Sequence, residues 1–407
     1  MPGVHFTNLF AVVLVALLAP LLLGLAPRFR IPAVVLEIVA GIVLGPHGLG
    51  LVDVDLPVQI VSLLGLGFLL FLAGLEIDVH RLRGRVLRLA LLGYLITLVL
   101  GGVAGAGFAA AGWVHSPFLL AITLSATSLG LVVPVLKDAG QVDGEVGQST
   151  IAAASVADFA AVLVLSLLFS TEGGSAGERI VMVALFAVLV AVAGVVVSTA
   201  GRSQKLGAAL YRLQDTTAEI RVRAAVVLLV AFVALAEQFG LETILGAFLA
   251  GAVVGMVDRD SSSHPQFRVK LAALGYGFLI PVFFVTSGLR LDLGGLLDDP
   301  AALLRVPLFL VALLIARGVP AYLSLRTLGP RPTAAMALLQ ATSLPFIVTA
   351  TQIGVTTGLM SEVTAAALIC AGLISVLVFP AVALVLLKQS GRPLDESGPA
   401  VRKLHDR

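Results

Sequence analysis

Charge is what this sequence has least of. Asp, Glu, Lys and Arg make up 12% of its 407 residues, against about 25% in a soluble domain. Apolar residues reach 59%. Such a chain has more apolar surface than one water-facing core can hide, so it belongs in a lipid bilayer as an all-α polytopic membrane protein. The formal net charge of +2 offers nothing to a nucleic acid. The single cysteine, Cys370, excludes an intrachain disulfide and reads as a small packing residue. The six histidines (His5, His47, His80, His115, His264, His405) show no pair at metal-ligand spacing, so no metal site is expected. Glycine clusters such as GGVAGAG lack the Lys-Ser/Thr and the preceding strand of a phosphate loop. They fit close helix packing. No nucleophile–base or metal constellation is present, so neither an enzyme nor a cofactor is expected. No Lys or Arg precedes Arg28, so the first apolar run lacks the basic flank of a signal peptide and reads as a spanning helix.

What is abundant is apolar runs near the length that spans a bilayer, roughly 20 residues. Thirteen qualify: 6–27, 31–50, 60–78, 86–112, 116–136, 149–170, 179–201, 220–238, 241–257, 274–291, 302–325, 333–354 and 361–387. Of the 26 Lys and Arg residues, 22 fall in the odd-numbered loops and the C-terminal tail. The positive-inside rule then puts the odd loops in the cytoplasm, the N-terminus outside and the C-terminus inside, with the cell (inner) membrane as the location.

The sequence repeats itself. ATSL occurs at Ala126–Leu129 and again at Ala341–Leu344; GLEID at Gly74–Asp78 is matched by GLRLD at Gly288–Asp292. LEIVAGIVLG in run 2 resembles LGAFLAGAVVG in run 9. Matching runs are seven apart. Seven is odd, so the second copy crosses the membrane in the opposite sense, as in many secondary transporters.

Both ATSL copies lie about 17 Å into their runs, near the bilayer centre. Thr127 and Ser128 are followed by Gly130 and Pro134, and Thr342 and Ser343 by Pro345. Two crossed, discontinuous helices with hydroxyls and freed carbonyls facing a cation are expected. The alternative is hydroxyls bonded back to their own helices. Asp158, in IAAASVADFAAVLVL, lies at similar depth among alanines. An intramembrane carboxylate is expensive and functional by default, and here a proton and a cation can compete for it. Arg317, in LLIARGVPAYL, is the one basic residue at that depth. Asp158 or the negative ends of the broken helices would be its partner. Glu37 is a possible entry-funnel acid or a structural one. Glu76 and Asp78 read as solvated ion pairs beside Arg81, Arg83, Arg85 and Arg88.

VLEIVAGIVLGPHGLG, GFLLFLAGLEIDV, SATSLGLVVPVLKD, GFLIPVFFVTSGLRLDL and the ARG of run 11 together resemble the Kef-type members of the monovalent cation:proton antiporter-2 family. The resemblance spans residues 9–387. It implies thirteen helices in a sodium/proton antiporter-like fold and a homodimer. It implies dimerisation segments at 1–82 and 220–300, core ion-transport segments at 83–170 and 301–388, a linker at 171–219 and a short tail at 389–407. The broken helices correspond to those of Thr127–Ser128 and Thr342–Ser343, the ion-binding aspartate to Asp158, and the helix-11 base to Arg317. Where many relatives carry a polar or acidic residue before that aspartate, this chain has Ala157, and QATSLPF differs from the glycine- and glutamate-bearing segment of Kef potassium systems. The tail after Lys388 leads us to expect no nucleotide-binding regulatory domain. The implied function is exchange of Na⁺ or K⁺ for H⁺ by alternating access, electroneutral because Asp158 is the only central acid. The competing readings are a same-fold transporter of an organic anion, with Arg317 as counter-charge, and a gated cation channel.

Overall fold

The structure is a computed structural model that describes residues 5–25, 32–76, 84–138, 140–142, 144–169, 176–200, 219–258 and 265–389. Asp78, Arg81, Arg83, linker residues 171–175 and 201–218, and tail residues 390–407 lie outside the described residues. The elements are α1 (Thr7–Leu25), α2 (Ala33–Leu44), α3 (Leu56–Leu75), α4 (Gly84–Ala110), α5 (Pro117–Thr123), α6 (Leu129–Asp138), α7 (Glu145–Phe169), α8 (Ala176–Ala200), α9 (Ile220–Gln238) and α10 (Thr243–Val257). Then come α11 (Pro265–Leu274), a π-helical turn (Gly275–Leu279), α12 (Ile280–Leu289), α13 (Leu293–Asp298), α14 (Pro300–Gly318), a 3₁₀ turn (Val319–Ser324), α15 (Leu325–Leu328), α16 (Pro330–Gln340), α17 (Pro345–Thr356) and α18 (Glu362–Gln389). There is no strand among the described residues. Eight helical units are long and apolar enough to cross a membrane, and three shorter apolar helices accompany them. Each of the thirteen apolar runs coincides with helix, either continuous or broken once within the run.

Helix starts follow local chemistry. Asp55 caps α3 by accepting from Val58 N at 3.2 Å. Ser116 caps α5 at Leu119 N, 3.3 Å, ahead of Pro117. Asp299 caps α14 at Ala301 N, 2.9 Å, ahead of Pro300. In each case a side-chain oxygen takes an orphan N–H while proline occupies a position that needs no donor.

The loops sort into two sets. Asn8 bonds Asp55 at 3.1 Å and His47 lies 3.4 Å from Asp292. Arg305 bonds Thr364 at 2.9 Å, and Thr364 in turn donates to Trp113 O at 3.0 Å. All of these joined positions belong to the N-terminus or to even-numbered loops. Arg268–Asp258 at 3.0 Å and Lys270–Glu219 at 2.9 Å join odd-numbered ones. Alternate crossing of a slab requires this sorting.

The repeat is visible in glycine packing. A Cβ on Gly74 would overlap Phe248 O, and one on Gly251 would overlap Phe71 O, so α3 and α10 touch backbone to backbone. A Cβ on Gly288 would overlap Ile38 O, and one on Gly41 would overlap Val285 O, so α2 and α12 do the same. Repeat-mates exchange roles in these pairs: Gly74 with Gly288, Phe248 with Ile38, Gly251 with Gly41, Phe71 with Val285. A third pair follows, Gly255 on Leu75 O at 2.9 Å and Gly45 on Leu289 O at 2.8 Å. One set of contacts is therefore made twice, as an inverted repeat demands.

Valine at Gly74 or Gly288 should destabilise the protein by roughly 1–3 kcal/mol or more through overpacking against backbone. Gly67, where an added Cβ would meet nothing within 4 Å, should accept valine with no loss. Thermal unfolding in detergent measures all three. Equal losses at Gly67 and Gly74 would show that close packing is not the cause.

Candidate functional site

Run 5 breaks between α5 and α6, and run 12 between α16 and α17. The second break ends on Pro345, whose missing N–H costs nothing at the first helical position. The first break has no such proline. Pro134 lies inside α6, past the break rather than at it. At that break Thr123 Oγ1 donates to Leu119 O at 2.7 Å and Ser125 Oγ to Ile122 O at 2.8 Å, so both hydroxyls are bonded back to their own segment.

The two breaks meet. Ser128 N donates to Thr342 O at 2.9 Å. Thr127 Oγ1 donates to Gln340 O, the last residue of α16, at 2.7 Å. Arg317, at the end of α14 and 1% exposed, donates through Nε to Thr127 Oγ1 at 2.9 Å and to Gln340 O at 3.3 Å. Its Nη2 also donates to Thr127 Oγ1, and Nη1 reaches Thr97 Oγ1 at 3.4 Å. On the other side, Thr127 N donates to Asp158 Oδ1 at 3.0 Å.

The charges sit where the half-helices want them. Asp158 occupies the positive N-terminal end of α6, and Arg317 the negative C-terminal end of α16. Among the described residues no direct ion pair joins them; Thr127 stands between. The Thr127 hydroxyl has one proton and two lone pairs, and Gln340 and Arg317 take all three. Of the five residues expected at the ion site, Asp158, Thr127 and Ser128 converge there. Thr342 Oγ1 turns back to Leu338 O at 3.1 Å. Ser343 is held by Ser375, which donates to Ser343 O at 3.1 Å and accepts from Ser343 N at 3.2 Å. Its own hydroxyl is buried without a partner.

Asp158 is only partly covered, unlike Arg317. Its neighbour Phe159 is 40% exposed, with its ring 6.0 Å from that of Phe248 on α10. Tyr276, on the π-helical turn, brings its hydroxyl against Gly130 of α6, 3.3 Å from where a Cβ would sit. Glu76 is exposed at the end of α3. Glu37 is buried in α2 and is no member of this network. Ala157 faces the other way, packed with Ala90 and Tyr94 of α4.

Sequence reasoning passed over Thr97, Tyr94, Gln340, Ser375 and Tyr276, and read Glu76 as merely solvated. Tyr94 and Thr97 left a signal: two polar groups one helical turn apart in the apolar stretch LLGYLITLVL.

Residues 13–389 match the family described as sodium/hydrogen exchanger, transmembrane. The chain belongs to that family. It is 34% identical over 403 residues to YjbQ of Bacillus subtilis (strain 168), a provisionally assigned Na⁺/H⁺ antiporter. That alignment takes in 95% of this chain, which spans 64% of the relative's length. A Na⁺/H⁺ antiporter of Enterococcus hirae is 32% identical over 269 residues, 65% of this chain and 68% of its own. The glutathione-regulated potassium-efflux protein KefC of Salmonella typhi is 29% identical over 315 residues, 76% of this chain and 49% of its own. The sodium proton antiporter MjNhaP1 of Methanocaldococcus jannaschii, solved at pH 8, superposes with a TM-score of 0.67 over 94% of this exchanger-family chain and 98% of its own, at 17% identity. The fold is therefore that of a sodium/proton antiporter.

Thr127→Val should strip Arg317 of an acceptor used by two of its nitrogens, a loss of about 1.5–3 kcal/mol for bonds to a charged group. Thr342→Val should cost under about 1 kcal/mol, because its hydroxyl serves only its own helix. Melting temperatures of the two variants check this ordering, and the reverse order would remove Thr127 from the centre of the crossing.

Proposed function

We propose that this protein exchanges Na⁺ or K⁺ for H⁺, with Asp158 as the single group that carries either one. The observation behind this is the contrast at Thr127. Arg317 is fully buried with its neutral partners fixed, whereas Asp158 is held through Thr127 N and is a residue only partly covered. A carboxylate anchored in this way can bind a proton as COOH or a cation as COO⁻, one at a time. Ser128 and the carbonyls around the breaks supply further oxygen; the Thr127 hydroxyl holds the crossing together and that of Thr342 serves its own helix. The names of the relatives agree with either cation.

On this reading the cation reaches Asp158 past Glu76, Tyr276 and Phe159, all three exposed. The acid at Glu76 favours a cation over an organic anion. Alternating access follows if the core segments 83–170 and 301–388 rock against the dimerisation segments 1–82 and 220–300. The glycine-locked pairs α3–α10 and α2–α12 support a rigid second body. The bodies touch where α7 meets α10, at Phe159–Phe248 and where Glu242 N donates to Ser166 Oγ at 3.2 Å. A second copy would seat on the dimerisation body, where Phe10, Leu14, Leu17 and Leu21 of α1 form one exposed apolar face. We place the protein in the cell membrane with the N-terminus outside, following the positive-inside bias.

Asp158→Asn keeps the shape and removes the titrating group. Purified and reconstituted, it should fold yet lose Na⁺- or K⁺-driven proton movement, read with a pH-sensitive dye. Robust exchange by this variant would sink the assignment; ion-selective currents in the unmodified protein without proton movement would indicate a channel.

Stoichiometry follows from what surrounds the carboxylate. Ala157 carries no proton, and an arginine does not release one at physiological pH. One proton per cation makes exchange electroneutral. In proteoliposomes clamped at different potentials, the pH gradient that gives zero net flux should not move with voltage. A systematic shift would require a second proton carrier, and Glu76 and Glu37 would be the first to test.

A further inference from the structure

A cavity opens on the same side as the odd-numbered loops, inside the core bundle, and Asp158 is not among its lining residues. It holds about 280 Å³ and is walled by α4, α7, the end of α14 with its 3₁₀ turn, α15 and α16. Arg317 forms its floor, with Tyr94, Gln340 and Ser324 around it and Ala153 in the wall. Arg85 and Glu145 stand at the exposed mouth.

Arg317 is a full positive charge, 1% exposed, whose acceptors among the described residues are two threonine hydroxyls and one carbonyl, all neutral. A guanidinium has five N–H donors, and these acceptors do not use all of them. A buried charge without a contacting counter-ion is costly. Asp158 lies beyond Thr127, and during the proposed cycle its charge is neutralised by a proton or cation, which leaves Arg317 less compensated still. The deep lining offers hydroxyls and an amide but no carboxylate; the only acid, Glu145, is at the mouth. Such a cavity repels a transported cation and attracts an anion.

We propose that this vestibule is a binding site for a small resident inorganic anion that sits against the Arg317 guanidinium and is not transported. The 280 Å³ accommodates such an ion with some of its water. The site stands on the geometry of Arg317 and the cavity, and goes beyond the exchange reading. A wall residue replaced by an acid would do the anion's job from within: Ala153→Glu places a carboxylate in the same cavity.

The test is thermal unfolding of the purified protein at constant ionic strength, with chloride, nitrate, bicarbonate or inorganic phosphate titrated against gluconate. The unmodified protein should gain several degrees, saturably, with at least one small anion, as expected when a ligand binds only the folded state. In Ala153→Glu the gain should vanish. Should that variant fail to fold, Ser149→Glu, which also lines the cavity, should blunt the response instead. A melting temperature indifferent to the anion would overturn the proposal, as would a saturable gain that persists unchanged in a folded acid variant. Uptake of the labelled anion by proteoliposomes would make it cargo and would equally defeat a resident role. These readouts need no antiport activity, so their failure is distinguishable from failure of the exchange mechanism.

Discussion

The structure depends on Thr127. In a bilayer every backbone polar group must find a partner inside the protein, and two interrupted helices create many that have lost theirs. The Thr127 hydroxyl ties the first break to the last carbonyl of α16 and to the guanidinium of Arg317, while its N–H holds Asp158. One residue thus joins four segments of chain and both buried charges. The arrangement also places a negative charge at the N-terminus of one half-helix and a positive charge at the C-terminus of the other. Each dipole end meets the charge that stabilises it. Removing either charge would uncover the other, which is why the acid and the base belong to one unit although they do not touch.

Around this centre the chain separates rigidity from movement by choice of residue. Where α3 meets α10 and α2 meets α12, glycines bring backbone onto backbone, and nothing there can slide without a clash. Beside Asp158 the contacts are of another kind: an aromatic pair, a tyrosine hydroxyl over a glycine, and a π-helical turn at Gly275–Leu279. Such turns are frequent at functional sites because they disturb the regular ladder. Here the turn carries Tyr276 toward α6, so the broken helix faces the adaptable edge of its neighbour and not the locked one.

The fold was legible because membranes impose few options. Hydropathy located the thirteen runs, and the short identities ATSL and GLEID/GLRLD located the repeat that the swapped glycine contacts then display. Asp158 and Arg317 stood out because charge is rare at that depth. The connections among these residues were not legible. Whether a threonine hydroxyl ligates an ion or steadies an arginine depends on which carbonyl lies across the crossing, and Gln340 is 213 positions from Thr127. Thr342, equivalent by sequence, turned its hydroxyl back to Leu338, the outcome local hydroxyl chemistry always offers. Pro134 looked like the breaker but lies inside α6, past the break.

The repeat makes the asymmetry of the centre informative. Each break is met by the next long helix: α7 brings Asp158 to the backbone of Thr127, and α18 brings Ser375 to the backbone of Ser343. The geometry is duplicated and the chemistry is not. A serine hydroxyl satisfies the second break as a neutral group that does not titrate. Had both positions held acids, two carboxylates would share one low-dielectric centre, and mutual repulsion would oppose their joint ionisation. With one acid and one hydroxyl, both breaks are buried, Thr342 and Ser343 at 0% exposure and Thr127 and Ser128 at 2% and 8%, but only the first is met by a group that can titrate. Inverted symmetry supplies the two half-helix crossings, and a single side chain, Asp158 against Ser375, breaks that symmetry.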